Sequence, residues 1–172
     1  PFDVINASLD SKNPGDLKKL VMELSAQIGN KQESKLAAQL VTSLAKKPAS
    51  ADMLKQVALE KLAQTLKPEI APSWSPELQS AFHLLLESKN SAVTAATLPL
   101  ISRWDKNGAM SAEVKSFLPK LFASLNDANQ PDAQREQAVK SLLGLRAENP
   151  EILPSVANIL GSNSSAALKE RV

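Results

Sequence analysis

Apolar residues along this chain recur every three or four positions, and polar clusters interrupt them at near-regular intervals. In the segment ending at Leu44, Leu36, Leu40 and Leu44 lie four apart, a spacing that stacks side chains on one side of a helix. Windows ending at Leu9, Leu44, Leu86, Leu125 and Leu160 align on the same register. Four positions before these leucines stand Ile5, Leu40, Phe82, Leu121 and Val156; eight before stand Pro1, Leu36, Leu78, Phe117 and Ile152. The register predicts five helices that each turn an apolar seam inward.

A polar turn follows each seam. Leu9-Asp10-Ser11-Lys12-Asn13-Pro14 recurs as Leu86-Glu87-Ser88-Lys89-Asn90-Ser91. Looser copies are Leu125-Asn126-Asp127-Ala128-Asn129-Gln130, Leu160-Gly161-Ser162-Asn163 and Leu44-Ala45-Lys46-Lys47-Pro48. Asn, Ser, Pro and Gly cap helices and disfavour their interiors, so each copy reads as a helix end, a turn and a new start. The anchoring leucines lie 35, 42, 39 and 35 residues apart, the size of a helix pair. The partner helices are expected over residues 16–28, 50–67, 91–104 and 131–145, with a truncated one from 164. In 131–145, Ala138, Leu142, Leu143 and Leu145 share a side, away from Gln134, Glu136 and Lys140. Connections fall at 29–31, 68–75, 105–110 and 146–149, and Pro76 and Pro150 sit at or near a first helical position, where a missing N–H costs nothing. The pattern predicts an all-α chain: an α-solenoid, or superhelix, of antiparallel helix pairs. It has about four full repeats plus partial terminal ones in a single domain over 1–172.

The run Phe117-Leu-Pro-Lys-Leu-Phe-Ala-Ser-Leu125, then Asp132-Ala133-Gln134-Arg135, Ala138 and Leu142-Leu143-Gly144, resembles HEAT repeats of the HEAT/armadillo kind. The resemblance implies an aspartate near the start of the first helix and a basic residue three positions later, forming a ladder between neighbouring repeats. Asp16 with Lys19, Asp52 with Lys55 and Asp132 with Arg135 match; the third copy has Val93 and Ala96 and departs.

Composition agrees with helices: Tyr is absent, Gly is 5 and aromatics are 3%. Twenty basic against 18 acidic side chains leave a net charge of +2, without the concentrated basic surface that phosphate neutralisation requires. Zero cysteines exclude disulfides and thiolate chemistry and fit periplasm and cytoplasm alike. No apolar run of membrane-spanning length occurs, so no membrane insertion is expected. The chain begins without Met and stops within a helical pattern, so an interior piece of a longer chain is expected.

Candidate chemistry is sparse. His83 is the only histidine and has no companion ligands, so a packed structural role is expected for it and no metal site. Trp74 and Trp104 lie beside connections, where tryptophan either closes a helix pair or anchors a partner; Trp74 is the stronger anchor candidate. No nucleophile elbow, phosphate-binding glycine loop or triad can be assembled, so neither enzyme activity nor a cofactor is expected. A curved stack of helix pairs presents its second helices as a concave binding surface. Off the seam, those helices carry Lys35, Gln39 and Thr42; Glu77 and Ser80; Ser116 and Lys120; and Glu151, Ser155 and Asn158. This neutral polar row points to a protein, or another domain of the parent chain, and away from nucleic acid. The expected function is a non-catalytic scaffold or interdomain spacer. The alternative is a HEAT-like DNA-lesion glycosylase module. The Ala-rich pairs and the turn from Asp127 to Pro131 also resemble the middle region of large bacterial haem-binding proteins that carry a propeller-like dehydrogenase domain. Without a Cys-x-x-Cys-His, that resemblance implies haem held outside these residues.

Overall fold

The computed structural model describes residues 2–9, 14–146, 149–163 and 165–171. These form ten α-helices and one 3-10 turn, with no strand among the described residues. The helices are α1 (Phe2–Leu9), α2 (Pro14–Asn30), α3 (Ser34–Ala45), α4 (Asp52–Thr65), α5 (Pro76–Leu86), α6 (Ser91–Trp104), α7 (Ser111–Asn126), α8 (Asp132–Gly144), α9 (Ile152–Asn163) and α10 (Ala166–Arg171). The seam position Pro1 and the side chains of Leu9 and Asp16 lie outside the described residues.

Local chemistry places the helix ends. At α5, Ser75 is the N-cap, its hydroxyl accepting the Leu78 N–H at 3.2 Å, and Pro76 occupies the first helical position. Asn90 Oδ1 accepts the Ala92 N–H at the start of α6. Before α7 the Asp105 carboxylate accepts from the Ala109 and Met110 N–H groups, over a turn in which Gly108 takes φ +70°. Several boundaries differ from the sequence pattern: α2 runs from Pro14 to Asn30 against an expected 16–28, and α4 ends at Thr65 against an expected 67. Residues Ala49–Ala51 wind as a 3-10 turn that delays α4 to Asp52. Pro150 remains in the turn before α9, where Asn149 Oδ1 accepts the Glu151 N–H.

The chain divides into two compact units, Pro1–Trp104 and Asp105–Val172. In the first, α2 packs on α4 and α4 on α6, while α1 meets α3 and α3 packs on α5; α1 also joins α2, and α5 joins α6. Two neighbours leave α4 little free surface, and Leu54, Val57, Ala58, Leu59 and Leu62 are all buried. In α6 every residue from Val93 to Ile101 is buried, as befits a helix whose only charge is Arg103. The seam residues Ile5, Leu40, Phe82 and Leu78 are buried here, whereas Leu36 is half-buried.

In the second unit, α8 packs on α7, α9 and α10, and α7 touches α9. Its core is Met110, Val114, Leu125, Ala138, Val139, Leu142, Leu145, Ile152 and Val156. The seam is looser in α7, where Phe117 and Leu121 are only half-buried.

Polar clasps join turns that lie one sequence period apart. Asp52 and Lys55 form a buried ion pair at 2.8 Å, and the Ser88 hydroxyl, 36 residues on, donates to the other Asp52 oxygen at 3.3 Å. The second unit repeats the arrangement. Buried Arg135 lies 3.8 Å from Asp132 and donates through Nε to the Leu125 carbonyl, while the Ser165 hydroxyl, 33 residues on, donates to Asp132 at 2.8 Å. In the first copy the Asp16 side chain lies outside the described residues, and Lys19 is 84% exposed and reaches Glu23, one turn along its own helix, at 4.0 Å.

The C-terminal end of α4 is held from both sides. Gln32, at φ +55°, donates to the Gly29 and Thr65 carbonyls and accepts the Lys67 N–H, and Arg103 donates to the Ala63 carbonyl at 2.6 Å. Last-turn carbonyls lack helical partners, so a guanidinium and an amide placed there satisfy them. Gly29 permits the approach, because a Cβ at that position would stand 1.9 Å from Thr65 Oγ1.

Candidate partner-binding face

Helices α3, α5, α7 and α9, with the turns just before α5 and α9 that hold Trp74 and Glu151, carry the sequence-predicted binding row, and α1 precedes them in the odd-numbered series. This series also carries three of the four large apolar residues left exposed among the described residues: Val4 on α1, Leu84 on α5 and Leu153 on α9; the fourth is Leu20 on α2. Scattered singly, such residues need no explanation. Leu84 is different, because it stands in a groove.

That groove lies between α3 and α5 and has a volume of ≈ 300 Å³. Its α3 wall is Thr42, Ala45 and Lys46; its α5 wall is Pro76, Glu77, Ser80, Ala81 and Leu84. The helical period explains the set: residues three and four apart on each helix line one strip. Small side chains at Ala45, Ser80 and Ala81 keep the walls low, and Leu84 at 53% exposure supplies apolar surface. Thr42 donates its hydroxyl to the Ala38 carbonyl, one turn back on its own helix, at 2.8 Å. Glu77 accepts the Ser75 hydroxyl at 3.4 Å and sits in the first turn of α5, where the helix dipole favours an acid. Lys46 makes no ion pair with any described residue.

Thr42, Glu77 and Ser80 are thus brought together from the predicted row. Lys35 and Gln39 are exposed on α3 outside the groove lining. Trp74 is half-buried and stacks on Phe82, with centroids 5.7 Å apart and planes at 19°; Trp104, 1% exposed, meets the same ring at 5.7 Å and 57°. This cluster closes the α5–α6 pair, and both indole N–H groups are buried without a hydrogen-bond acceptor among the described residues. His83 is half-buried on α5.

In the second unit, Ser116 and Lys120 are exposed on α7. The Ser116 hydroxyl donates to the Glu113 carbonyl, and the Lys120 ammonium lies 5.5 Å from the centroid of the Phe117 ring. Asn158 is exposed and Ser155 half-buried on α9, and Glu151 is exposed in the turn before it. Sequence reasoning missed Ala45, Lys46, Pro76, Ala81 and Leu84. Leu84 had a signal: in Leu84-Leu85-Leu86 the seam through Leu78, Phe82 and Leu86 claims Leu85 and Leu86 and leaves Leu84 about 100° from Leu85 around the helix.

No group of three or more His, Cys, Asp or Glu side chains is placed to hold a metal ion among the described residues, and no helix of the described residues is long and apolar enough to cross a membrane. Comparison of the chain with protein-family models, with curated proteins and with solved structures finds no match.

Proposed function

We propose that this chain is a non-catalytic protein-interaction scaffold or interdomain spacer, built as an α-solenoid of HEAT-like helix pairs, that docks a protein or a neighbouring domain on its second-helix face. The observation that carries this reading is the α3–α5 groove, where an exposed leucine and small side chains form an apolar strip within a polar rim. Two features support the solenoid. Helices two apart in sequence pack on each other, as α2, α4 and α6 do, and an aspartate–serine clasp spans 36 residues in the first unit and 33 in the second. Stacked repeats of this kind contact mainly their neighbours and present one continuous face.

A photo-cross-linking scan tests the reading. A benzophenone side chain is placed singly at Gln39, Ser80 and Asn158 on the second helices, and at Gln64 and Lys140 on the first. Adducts with one discrete polypeptide are expected from the second-helix positions only. Adducts confined to Gln64 and Lys140, or none from any position, would overturn it.

A further inference from the structure

We propose that Asn107 is a site of spontaneous covalent modification: the backbone nitrogen of Gly108 attacks its side-chain amide, and the turn ahead of α7 converts with time to aspartyl and isoaspartyl forms.

Of the ten asparagines in the chain, Asn107 alone is followed by glycine. The attack closes a succinimide ring, and a Cβ on the following residue would crowd the approach of the amide carbon to that residue's nitrogen. Gly108 has none. Both residues are exposed, in a turn where Gly108 takes φ +70°, and the Asn107 amide makes no hydrogen bond to any described residue. Other asparagines are held. Asn90 and Asn149 each accept, through Oδ1, the N–H two residues on, and Asn126 and Asn158 lie in α7 and α9, whose backbone hydrogen bonds fix the N–H that follows.

One contact opposes the attack: the Gly108 N–H donates to the Asp105 carbonyl at 3.2 Å, and the nitrogen must leave it. A single exposed backbone hydrogen bond slows the reaction only about fivefold, because such turns open readily. Water is the sole co-reactant. The Gly108 nitrogen loses its proton and bonds to the Asn107 side-chain carbonyl carbon; the bond from that carbon to the amide nitrogen breaks, and ammonia leaves with the proton. Water then opens the ring. Addition at the side-chain carbonyl gives aspartate, and addition at the main-chain carbonyl gives isoaspartate, whose backbone runs through the side-chain methylene.

Isoaspartate lengthens the main chain inside a turn that short contacts hold. The Asp105 carboxylate accepts from the Ala109 and Met110 N–H groups, and the Ser111 N–H donates to the Gly108 carbonyl at 3.1 Å. Met110 is fully buried in the core of the second unit, so the extra methylene loosens the turn at the start of α7.

The test is incubation of the full chain in mildly alkaline buffer at physiological temperature, with and without urea, followed by tryptic digestion and electron-transfer fragmentation of the peptide 107–115. In the folded chain this peptide should gain acidic products, isoaspartyl the more abundant, before any other asparagine reacts. Urea should speed the reaction by no more than about tenfold, since only one exposed hydrogen bond protects the site. Asn107→Gln, with a far-UV circular dichroism spectrum like the parent's, should give no such product. Acceleration in urea beyond that limit, earlier reaction at another asparagine, or products that persist in Asn107→Gln would overturn the proposal. The isolated isoaspartyl chain should exchange its Ala109 and Met110 amides faster than the parent; unchanged exchange refutes the loosening of α7.

Discussion

Replacing Asp52 with alanine breaks the buried ion pair of the first unit. Lys55 is 6% exposed and its ammonium has the Asp52 carboxylate at 2.8 Å, so the variant leaves a cation buried without a counter-charge. Breaking a buried pair in this way costs about 3–5 kcal/mol. Ser88 also loses its acceptor, but it is only partly buried and water can replace the contact. At about 0.05–0.15 kcal/mol per residue, the unit Pro1–Trp104 holds roughly 5–16 kcal/mol in all, so a third of its stability is at stake. Both tryptophans, Trp74 and Trp104, lie in this unit, and indole fluorescence in urea therefore follows it alone. With an m-value near 1.5 kcal/mol/M, the midpoint should fall by about 2–3 M. Asp52→Leu combined with Lys55→Met removes both charges and should stay within about 1–2 kcal/mol of the parent. A single-variant shift below about 0.5 M, or a double variant as weak as the single, would refute the reasoning.

Other outcomes follow from the same geometry. Gly29→Ala forces a Cβ against Thr65 and should cost about 1–3 kcal/mol by urea unfolding, partly recovered in a Thr65→Ala background. Gln32→Ala removes three hydrogen bonds and should cost about 1–3 kcal/mol, with faster amide exchange at Lys67, whose N–H it leaves unpaired. Ser165→Ala removes an exposed clasp and should cost no more than about 1 kcal/mol, read by circular dichroism because fluorescence does not see that unit. Trp104→Phe deletes a buried N–H that has no acceptor among the described residues, so its relief offsets much of the lost ring burial; a net change below about 1.5 kcal/mol in thermal unfolding is expected.

How much of this could be read from residues alone depends on whether the cause is local. The bounds of α6 at Ser91 and Trp104 and the connection 105–110 were legible, because an Asn cap precedes the helix and Asp-Lys-Asn-Gly follows it. The ion pair of Asp52 with Lys55 was legible as a three-residue spacing; the Asp16 side chain, at the same spacing from Lys19, lies outside the described residues, and Lys19 also lies 4.0 Å from Glu23, since helical residues three and four apart are equally near. The Gln32 clasp was not legible. Glutamine carries no signal for positive φ, and its partners lie 33 and 35 residues away. The groove was missed in part for the same reason: Lys46 and Leu84 meet only when two helices pack, and the register of that packing is written in neither helix.

A partner docked on the second-helix face of the first unit would cover the α3–α5 groove. Amide chemical shifts of the full, isotope-labelled chain, titrated with the polypeptide captured in the cross-linking scan, test it most directly. Saturating shifts concentrated at Thr42, Ala45, Lys46, Ser80, Ala81 and Leu84 are predicted. Shifts centred on α2, α4 and α6, or on the second unit, would contradict it.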